Sequence, residues 1–309
     1  MNAGIRPPHH QYDYVGRFAP SPSGPLHFGS LICALASYLH ARQHNGRWLL
    51  RIEDVDTPRI DKAMSPIIVN SLKQHNLDFD GELMYQSERF EHYQSSLNYL
   101  AKQEQIYACK CSRREIRERA PFYDGHCRDA NLPFENYALR WKNEAKRKRF
   151  HDMHFFEQIV SDRMAQEDPV LKRADGIYAY HLAVVTDDIE QGVTHIVRGA
   201  DLLDTTPLHL SLFCALASEE AVQPTYLHIP VASDKPGQKL SKQHHAPPIQ
   251  DEHALTNLKA ALQFLGCSRA KFNHIGSTEK LIEWAISHYD FSDLPKRTEI
   301  LVSDANGVY

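Results

Sequence analysis

The apolar residues of the first fifty positions change period twice. Val15–Ala19 is a short, partly apolar run that ends at Pro20-Ser21-Pro22-Ser23-Gly24-Pro25, which reads as a strand entering a tight loop. From Leu26 the apolar positions Leu31, Leu35, Tyr38 and Leu39 recur at helical spacing, and Gly46 marks a stop. Arg47–Ile52 (RWLLRI) then reads as a second strand. Strand, glycine-bearing loop, helix and strand make a βαβ unit, so the pattern predicts an α/β fold with a doubly wound parallel sheet.

Further along, residues 65–106 read as largely helical and 107–149 as an irregular insert rich in Cys, Arg and Tyr. Tyr178–Val185 (YAYHLAVV) and Thr194–Val197 read as strands, with Asp187-Asp188 turning between them. Leu208–Ala217 reads as an apolar helix, and Tyr226–Ala232 as a short strand before the loop 233–238. Leu255–Leu265 and Leu281–His288 read as closing helices. The chain therefore divides into the first half of a Rossmann-like domain (1–108), an insert (109–169), a second half (170–250) and a short helical subdomain (251–309). Only about 60 residues follow Pro248, too few for another large domain.

Composition changes this picture little. Apolar residues are 42% and charged residues 24%, the balance of a soluble globular protein, and the net charge of −4 carries no global signature of nucleic-acid binding. The charge is unevenly spread, however. Residues 109–149 hold twelve Lys/Arg against six Asp/Glu, an excess of six that leaves about −10 on the rest. Such a segment suits a phosphate backbone, although a solvated charged face is the commoner outcome. There is no apolar run long enough for a membrane span, and Met1–Tyr14 lacks the apolar core of a signal peptide. A cytoplasmic, membrane-free protein is the expectation.

Six cysteines occur. Cys33, Cys214 and Cys267 sit in apolar stretches and read as small buried hydrophobes. Cys109, Cys111 and Cys127 fall within 19 residues of the insert and make good zinc ligands. A fourth donor would complete a tetrahedron; His126 is the chemically obvious one and Tyr123 the less usual.

Two segments carry candidate phosphate chemistry. His27 and Gly29 stand at the start of the first helix, where unpaired N–H groups and the helix dipole attract anions, and Gly24 and Gly29 allow close approach to the backbone. Lys239 and Lys242 lie three apart in a loop and suit a triphosphate as compact point charges. A pocket for an acidic amino acid needs two cationic anchors and one anion. Arg17 and Arg198 suit carboxylates, Glu53 an ammonium, and Tyr180 offers a hydroxyl and a wall. Alternatively Arg51, Glu53, Asp54 and Arg198 form structural ion pairs.

Taken in order, these segments resemble the class I aminoacyl-tRNA synthetases. Pro20–Ser30 is similar to the HIGH signature, with His27-Phe28-Gly29-Ser30 in its place, and Lys239–Gln243 (KLSKQ) to the KMSKS signature. Arg51–Asp56 resembles the RxEDxD stretch of glutamyl synthetases, and Asp187-Asp188, Gly192–Thr194 and Val197–Asp201 follow in the family's order. The resemblance covers roughly 15–250. Phe28 stands for Ile, Ser30 for His, Leu240 for Met and Gln243 for Ser; none of these removes a charge from the phosphate contacts.

The Cys-x-Cys and Tyr-x3-Cys pattern, on a chain with no room for an anticodon-binding domain, resembles the glutamyl-queuosine tRNA(Asp) synthetases. That resemblance implies the following roles. His27, Lys239 and Lys242 are catalytic, and ATP, accompanied by Mg2+, meets His27, Gly29 and Lys242. L-glutamate meets Arg17, Phe18, Ala19, Pro20, Ser21, Glu53, Tyr180 and Arg198. One structural Zn2+ is held by Cys109, Cys111, Tyr123 and Cys127, with His126 as the alternative to Tyr123. The implied activity is tRNA-independent activation of glutamate and its transfer to the queuosine base of tRNA(Asp), by a monomer whose residues 251–309 resemble a stem-contact region. A short glutamyl-tRNA synthetase charging a 3′ end, or a non-catalytic RNA-binding relative, are the alternatives.

Overall fold

β1 (Val15–Phe18) runs parallel to β2 (Arg47–Ile52), Val15 opposite Arg47, and α1 (Phe28–Gln43) crosses between them as the sequence predicts. The computed structural model describes residues 4–8, 13–56, 60–61, 63–120, 122–235, 237–240 and 247–302. After α2 (Met64–Gln74), β3 (Met84–Tyr85) adds to β2 in parallel. Then come α3 (Phe90–Lys102), β4 (Ile106–Cys109), α4 (Arg113–Arg119), β5 (Ala138–Trp141), β6 (Arg149–Asp152), β7 (Phe156–Ile159), α5 (Asp162–Gln166) and β8 (Val170–Lys172). The second half holds α6 (Tyr180–Glu190), β9 (His195–Gly199), α7 (Thr206–Leu216), β10 (Thr225–Ile229), β11 (Val231–Lys235) and β12 (Gln238–Lys239). The chain ends in α8 (Ala254–Phe264), α9 (Thr278–His288) and β13 (Glu299–Leu301).

β9, β10 and β6 lie parallel, with β7 antiparallel at the edge. The Thr194 N–H donates to the Val15 carbonyl at 2.9 Å, and the Val15 N–H to Thr194 Oγ1 at 2.9 Å. These bonds set β1 beside the start of β9, so both halves point their strand ends at one crevice, where ligands bind in open α/β sheets. β4, β5 and β8 form a separate antiparallel sheet.

α1 is buried on nearly every side, including Leu31, Leu35 and Leu39. Trp48 and Leu50 of β2 belong to the same apolar cluster, together with Leu258 and Leu262 of α8 and Leu281 and Ala285 of α9. A helix apolar all round is one enclosed on all sides. The C-terminal helices α8 and α9 thus share the core of α1 and fix its position.

Two kinds of expectation are corrected, one of element type and one of burial. Tyr178–Val185 is no strand: Tyr180–Glu190 is α6, and Asp187 and Asp188 are buried in its last turns, not in a turn between strands. Leu182, Ala183, Val184 and Val185 are all buried. A continuous apolar run is the one pattern in which periodicity cannot tell a buried helix from a buried strand. Among the cysteines, Cys267 is buried, but Cys214 is exposed and Cys33 only partly covered.

Candidate active site

A cavity of about 680 Å³ opens at the crevice. Its wall includes Arg17, Phe18, Ala19, Pro20 and Ser21 from the end of β1, Glu53 beyond β2, Tyr180 at the start of α6 and Arg198 on β9. His27 and Gly29 line it from the start of α1. Every residue expected around glutamate is therefore on one surface. Ser23, Ser30, Cys33, Asp201, Leu202 and Gly237 also face it.

His27 is the N-cap of α1, with backbone φ −112° and ψ 170°; its ring accepts from the Ser30 N–H, and Ser30 Oγ lies 3.0 Å from its Nε2. A Cβ on Gly29 would sit 3.1 Å from the His27 ring and 3.5 Å from the Leu240 carbonyl oxygen. The His27 ring, the helix start and the Leu240 carbonyl converge on this position, where the ring leaves little room for a Cβ. On the far side of that segment, Pro248 bridges His27 and the Ile249 N–H donates to the Leu26 carbonyl at 3.0 Å. Lys242 falls outside the described residues, and of Lys239 only the backbone, in β12, is described.

The two arginines differ. Arg17 forks onto Asp188, Nε–Oδ1 at 3.1 Å and Nη2–Oδ2 at 3.4 Å. Asp188 also meets Arg51 Nη2 at 2.8 Å. Asp187 takes Arg89 Nε at 2.7 Å, Gln86 Nε2 at 2.7 Å and the Tyr93 hydroxyl at 2.9 Å. Burial acts to raise the Asp188 carboxyl, but Arg17 and Arg51 outweigh it and hold the group below its usual range. Arg51 and Asp54 are thus structural members of the RxEDxD stretch: Arg51 is fully buried, and Asp54 accepts from the Ser87 N–H at 2.7 Å and hydroxyl at 2.6 Å.

Arg198 is 6% exposed and, among the described residues, is paired to no carboxylate. Its Nε donates to His228 Nε2 (3.0 Å) and its Nη1 to His209 Nδ1 (3.2 Å). Nη2 donates to the Leu202 carbonyl (3.0 Å) and the hydroxyls of Thr205 (3.2 Å) and Thr206 (2.8 Å). Glu53 is the complementary case. No described side chain donates to its carboxylate, and burial, only partly offset by Arg51 and Arg17, pushes its pKa up to about 7. A cation without a counter-charge and a carboxylate without a donor share one cavity, which is the requirement of a ligand carrying both carboxylate and ammonium.

At the start of the insert, β4 delivers Cys109, and Cys111, Tyr123 and Cys127 pack with it in a small cluster. The three Sγ atoms lie within 4.8 Å of one another, Cys111 and Cys127 at 3.4 Å. Zn–S bonds of about 2.3 Å imply tetrahedral S···S edges of roughly 3.8 Å, so the three cysteines fit a metal ion. Tyr123 is buried, its oxygen accepting from the Cys127 N–H at 3.0 Å and its ring 3.7 Å beneath the Arg140 guanidinium. His126 is exposed. Several cations of the basic segment are spoken for. Arg128 forks onto Asp168 at 2.5 and 2.6 Å, Arg140 donates to the Asp168 carbonyl at 2.6 Å, and Arg119 meets Asp124 at 3.2 Å.

The profile for "tRNA synthetases class I (E and Q), catalytic domain" matches residues 14–283. The chain belongs to that family. The class I synthetase is 42% identical over 294 residues to the glutamyl-Q tRNA(Asp) synthetase of Vibrio vulnificus, covering 95% of each chain. It is 44% identical to the one of Vibrio parahaemolyticus, covering 95% of this chain and 98% of that one. In fold, this synthetase resembles the glutamate tRNA ligase of Elizabethkingia meningosepticum with a TM-score of 0.74 at 24% identity, over 92% of this chain and 66% of that one. Among its described residues no helix is long and apolar enough to cross a membrane.

His209 and His228, which hold Arg198, were not singled out from sequence. Each is a lone histidine within an apolar segment, and nothing local distinguishes it from a core residue.

Proposed function

We propose that this chain uses ATP to activate L-glutamate as glutamyl-adenylate without tRNA, and transfers the glutamyl group to the queuosine base in the anticodon loop of tRNA(Asp). The observation that carries the reading is Arg198, a buried cation with no carboxylate partner among the described residues, lining the same cavity as Glu53. The names of relatives covering nearly the whole chain support the acceptor.

In this reaction an oxygen of the glutamate α-carboxylate attacks the α-phosphorus of ATP, and pyrophosphate leaves. Since that carboxylate must reach phosphorus, the cation reserved at Arg198 serves the side-chain carboxylate, and Glu53 takes the ammonium. Arg17, Phe18, Ala19, Pro20, Ser21 and Tyr180 enclose the amino acid. His27 and the N–H groups at the start of α1, with Gly29 permitting close approach, hold the phosphates. Lys239 and Lys242 supply charge to the leaving pyrophosphate. Mg2+ bound to ATP would supply further charge neutralisation at its phosphates. Zn2+ held by Cys109, Cys111, Tyr123 and Cys127 staples the insert, which is too small for a sizeable core of its own. Elemental analysis should find one zinc per chain, and its absence would remove this part of the reading.

The deciding experiment is two-step. Glutamate-dependent ATP–pyrophosphate exchange should proceed without tRNA. Radiolabelled glutamate should then charge queuosine-bearing tRNA(Asp) even when the 3′ adenosine is missing, and should not charge tRNA(Asp) with guanine at that position. Charging of the unmodified tRNA together with failure of the truncated one would make the acceptor the terminal ribose.

A further inference from the structure

We propose that His209, with His228 beside it, is a positioning residue that aims the Arg198 guanidinium without cancelling its charge, so that the pocket selects a carboxylate over an amide. The inference rests on the reading that Arg198 meets glutamate.

The argument begins with hydrogen-bond polarity. A guanidinium has five N–H donors and no acceptor. The ring nitrogens facing it, His209 Nδ1 and His228 Nε2, must therefore both present lone pairs. That fixes both tautomers. His209 carries its proton on Nε2 and gives it to His181 Nδ1 at 2.9 Å. His228 carries its proton on Nδ1 and gives it to Asp152 Oδ2 at 2.7 Å. Asp152 is itself fixed by the backbone N–H groups of His154 (3.0 Å), Phe155 (2.9 Å) and His228 (3.1 Å). Two chains, His181–His209 and Asp152–His228, converge on one guanidinium, and each ends in a neutral acceptor.

Burial supports this assignment. His209 is 2% exposed and His228 fully buried, and desolvation followed by the Arg198 charge keeps the His209 ring far below its ordinary pKa. Desolvation likewise lowers His228 to about 4, against the pull of Asp152. A second proton on either ring would point an N–H at the cation. Carboxylates in these positions would satisfy the same guanidinium N–H groups while neutralising it, as Asp188 does for Arg17. Among the described residues one Nη1 N–H of Arg198 is left over, on a side chain that lines the cavity. A glutamate carboxylate can accept that bond and pair the charge. Glutamine can accept the bond but leaves the charge unpaired, which is the asymmetry that gives strong rejection of a near-isostere.

The test measures ATP–pyrophosphate exchange against glutamate and glutamine for the wild-type chain and for His209→Leu, His209→Gln and His209→Glu, with a melting temperature for each. His209→Leu removes one acceptor and should raise the glutamate KM about tenfold, the size of one hydrogen bond to a charged group, with kcat and the ATP KM within about threefold. His209→Gln restores a neutral acceptor and should recover most of that loss. His209→Glu keeps an acceptor but cancels the charge, so the glutamate-over-glutamine ratio of kcat/KM should fall at least about tenfold. If His209→Glu does not fold, the Leu and Gln pair decides. A wild-type KM in His209→Leu, no recovery in His209→Gln, or an unchanged ratio in folded His209→Glu overturns the role of His209. A wild-type chain inert toward glutamate overturns the reading of the site itself.

Discussion

Arg17 and Arg198 line the same cavity, yet Arg17 is forked onto Asp188 while Arg198 is held by two imidazoles, two threonine hydroxyls and a carbonyl. The floor around Arg17 is an ionic lattice of Arg17, Arg51 and Arg89 against Asp187, Asp188 and Glu190. There each buried charge is offset by its neighbours, which is what allows it to be buried at all. The wall around Arg198 satisfies the guanidinium geometrically but leaves its charge for something else. Hydrogen bonding and charge compensation are separate requirements. Among the described residues, the floor compensates its charges even though Arg51 Nε and Nη2 find no hydrogen-bond acceptor, whereas the wall gives Arg198 Nε, Nη1 and Nη2 neutral acceptors and no counter-charge. The floor is therefore scaffold, and the wall is where an anion fits.

This contrast predicts opposite profiles for substitutions on the two sides. The largest effect belongs to the floor. Asp188→Ala strands Arg17 and Arg51 in a buried setting and should cost about 3–5 kcal/mol of stability in urea unfolding at neutral pH. A loss below about 1 kcal/mol would mean that the lattice does not hold the floor together. On the wall, Arg198→Lys keeps a charge but loses the fork. It should leave unfolding within about 1 kcal/mol of wild type while raising the glutamate KM roughly thirty- to a hundredfold, the loss of about 2–3 kcal/mol of charge-assisted hydrogen bonding. Equal losses of stability in both variants would erase the distinction.

The same contrast marks what could be read from sequence. The first βαβ unit was legible because its parts are consecutive: Val15–Phe18, Phe28–Gln43 and Arg47–Ile52 each announce themselves by period and by the Pro/Gly loop between them. The cavity residues were legible because they cluster in short motifs at strand ends, and all those expected around glutamate do line it. What escaped is long-range. The Arg17–Asp188 pair joins residues 171 positions apart, so Asp188 could be taken for a turn residue. Its element was misread because Leu182–Val185 are buried on all sides and lose the helical stripe. His209 and His228 carry no motif, and their task exists only once β9, β10 and α7 place them around Arg198. The excess charge of the basic segment was visible, but its ion pairs, such as Arg128 with Asp168, were not.

The smallest effect separates Glu53 from both arginines, because it alone changes charge near neutral pH. Burial raises its pKa to about 7, above the ordinary value of 4.5. Between those values the empty folded chain binds a proton that the unfolded chain does not, so this group's contribution to stability falls as pH rises through that window. Ionised Glu53 is thus a cost to the empty fold, and an incoming ammonium offsets it. Below about pH 7 the ammonium must displace a proton, and above it the partner is already charged. The glutamate KM should therefore fall about tenfold between pH 6 and pH 8 and level off beyond, as the ionised fraction rises from roughly one-tenth to nine-tenths. Glu53→Gln should have a high KM that no longer depends on pH over this range, which removes contributions from ATP or from other groups. A slope that survives in Glu53→Gln would place the titrating group elsewhere, and a flat wild-type profile would mean that Glu53 is already ionised in the empty cavity.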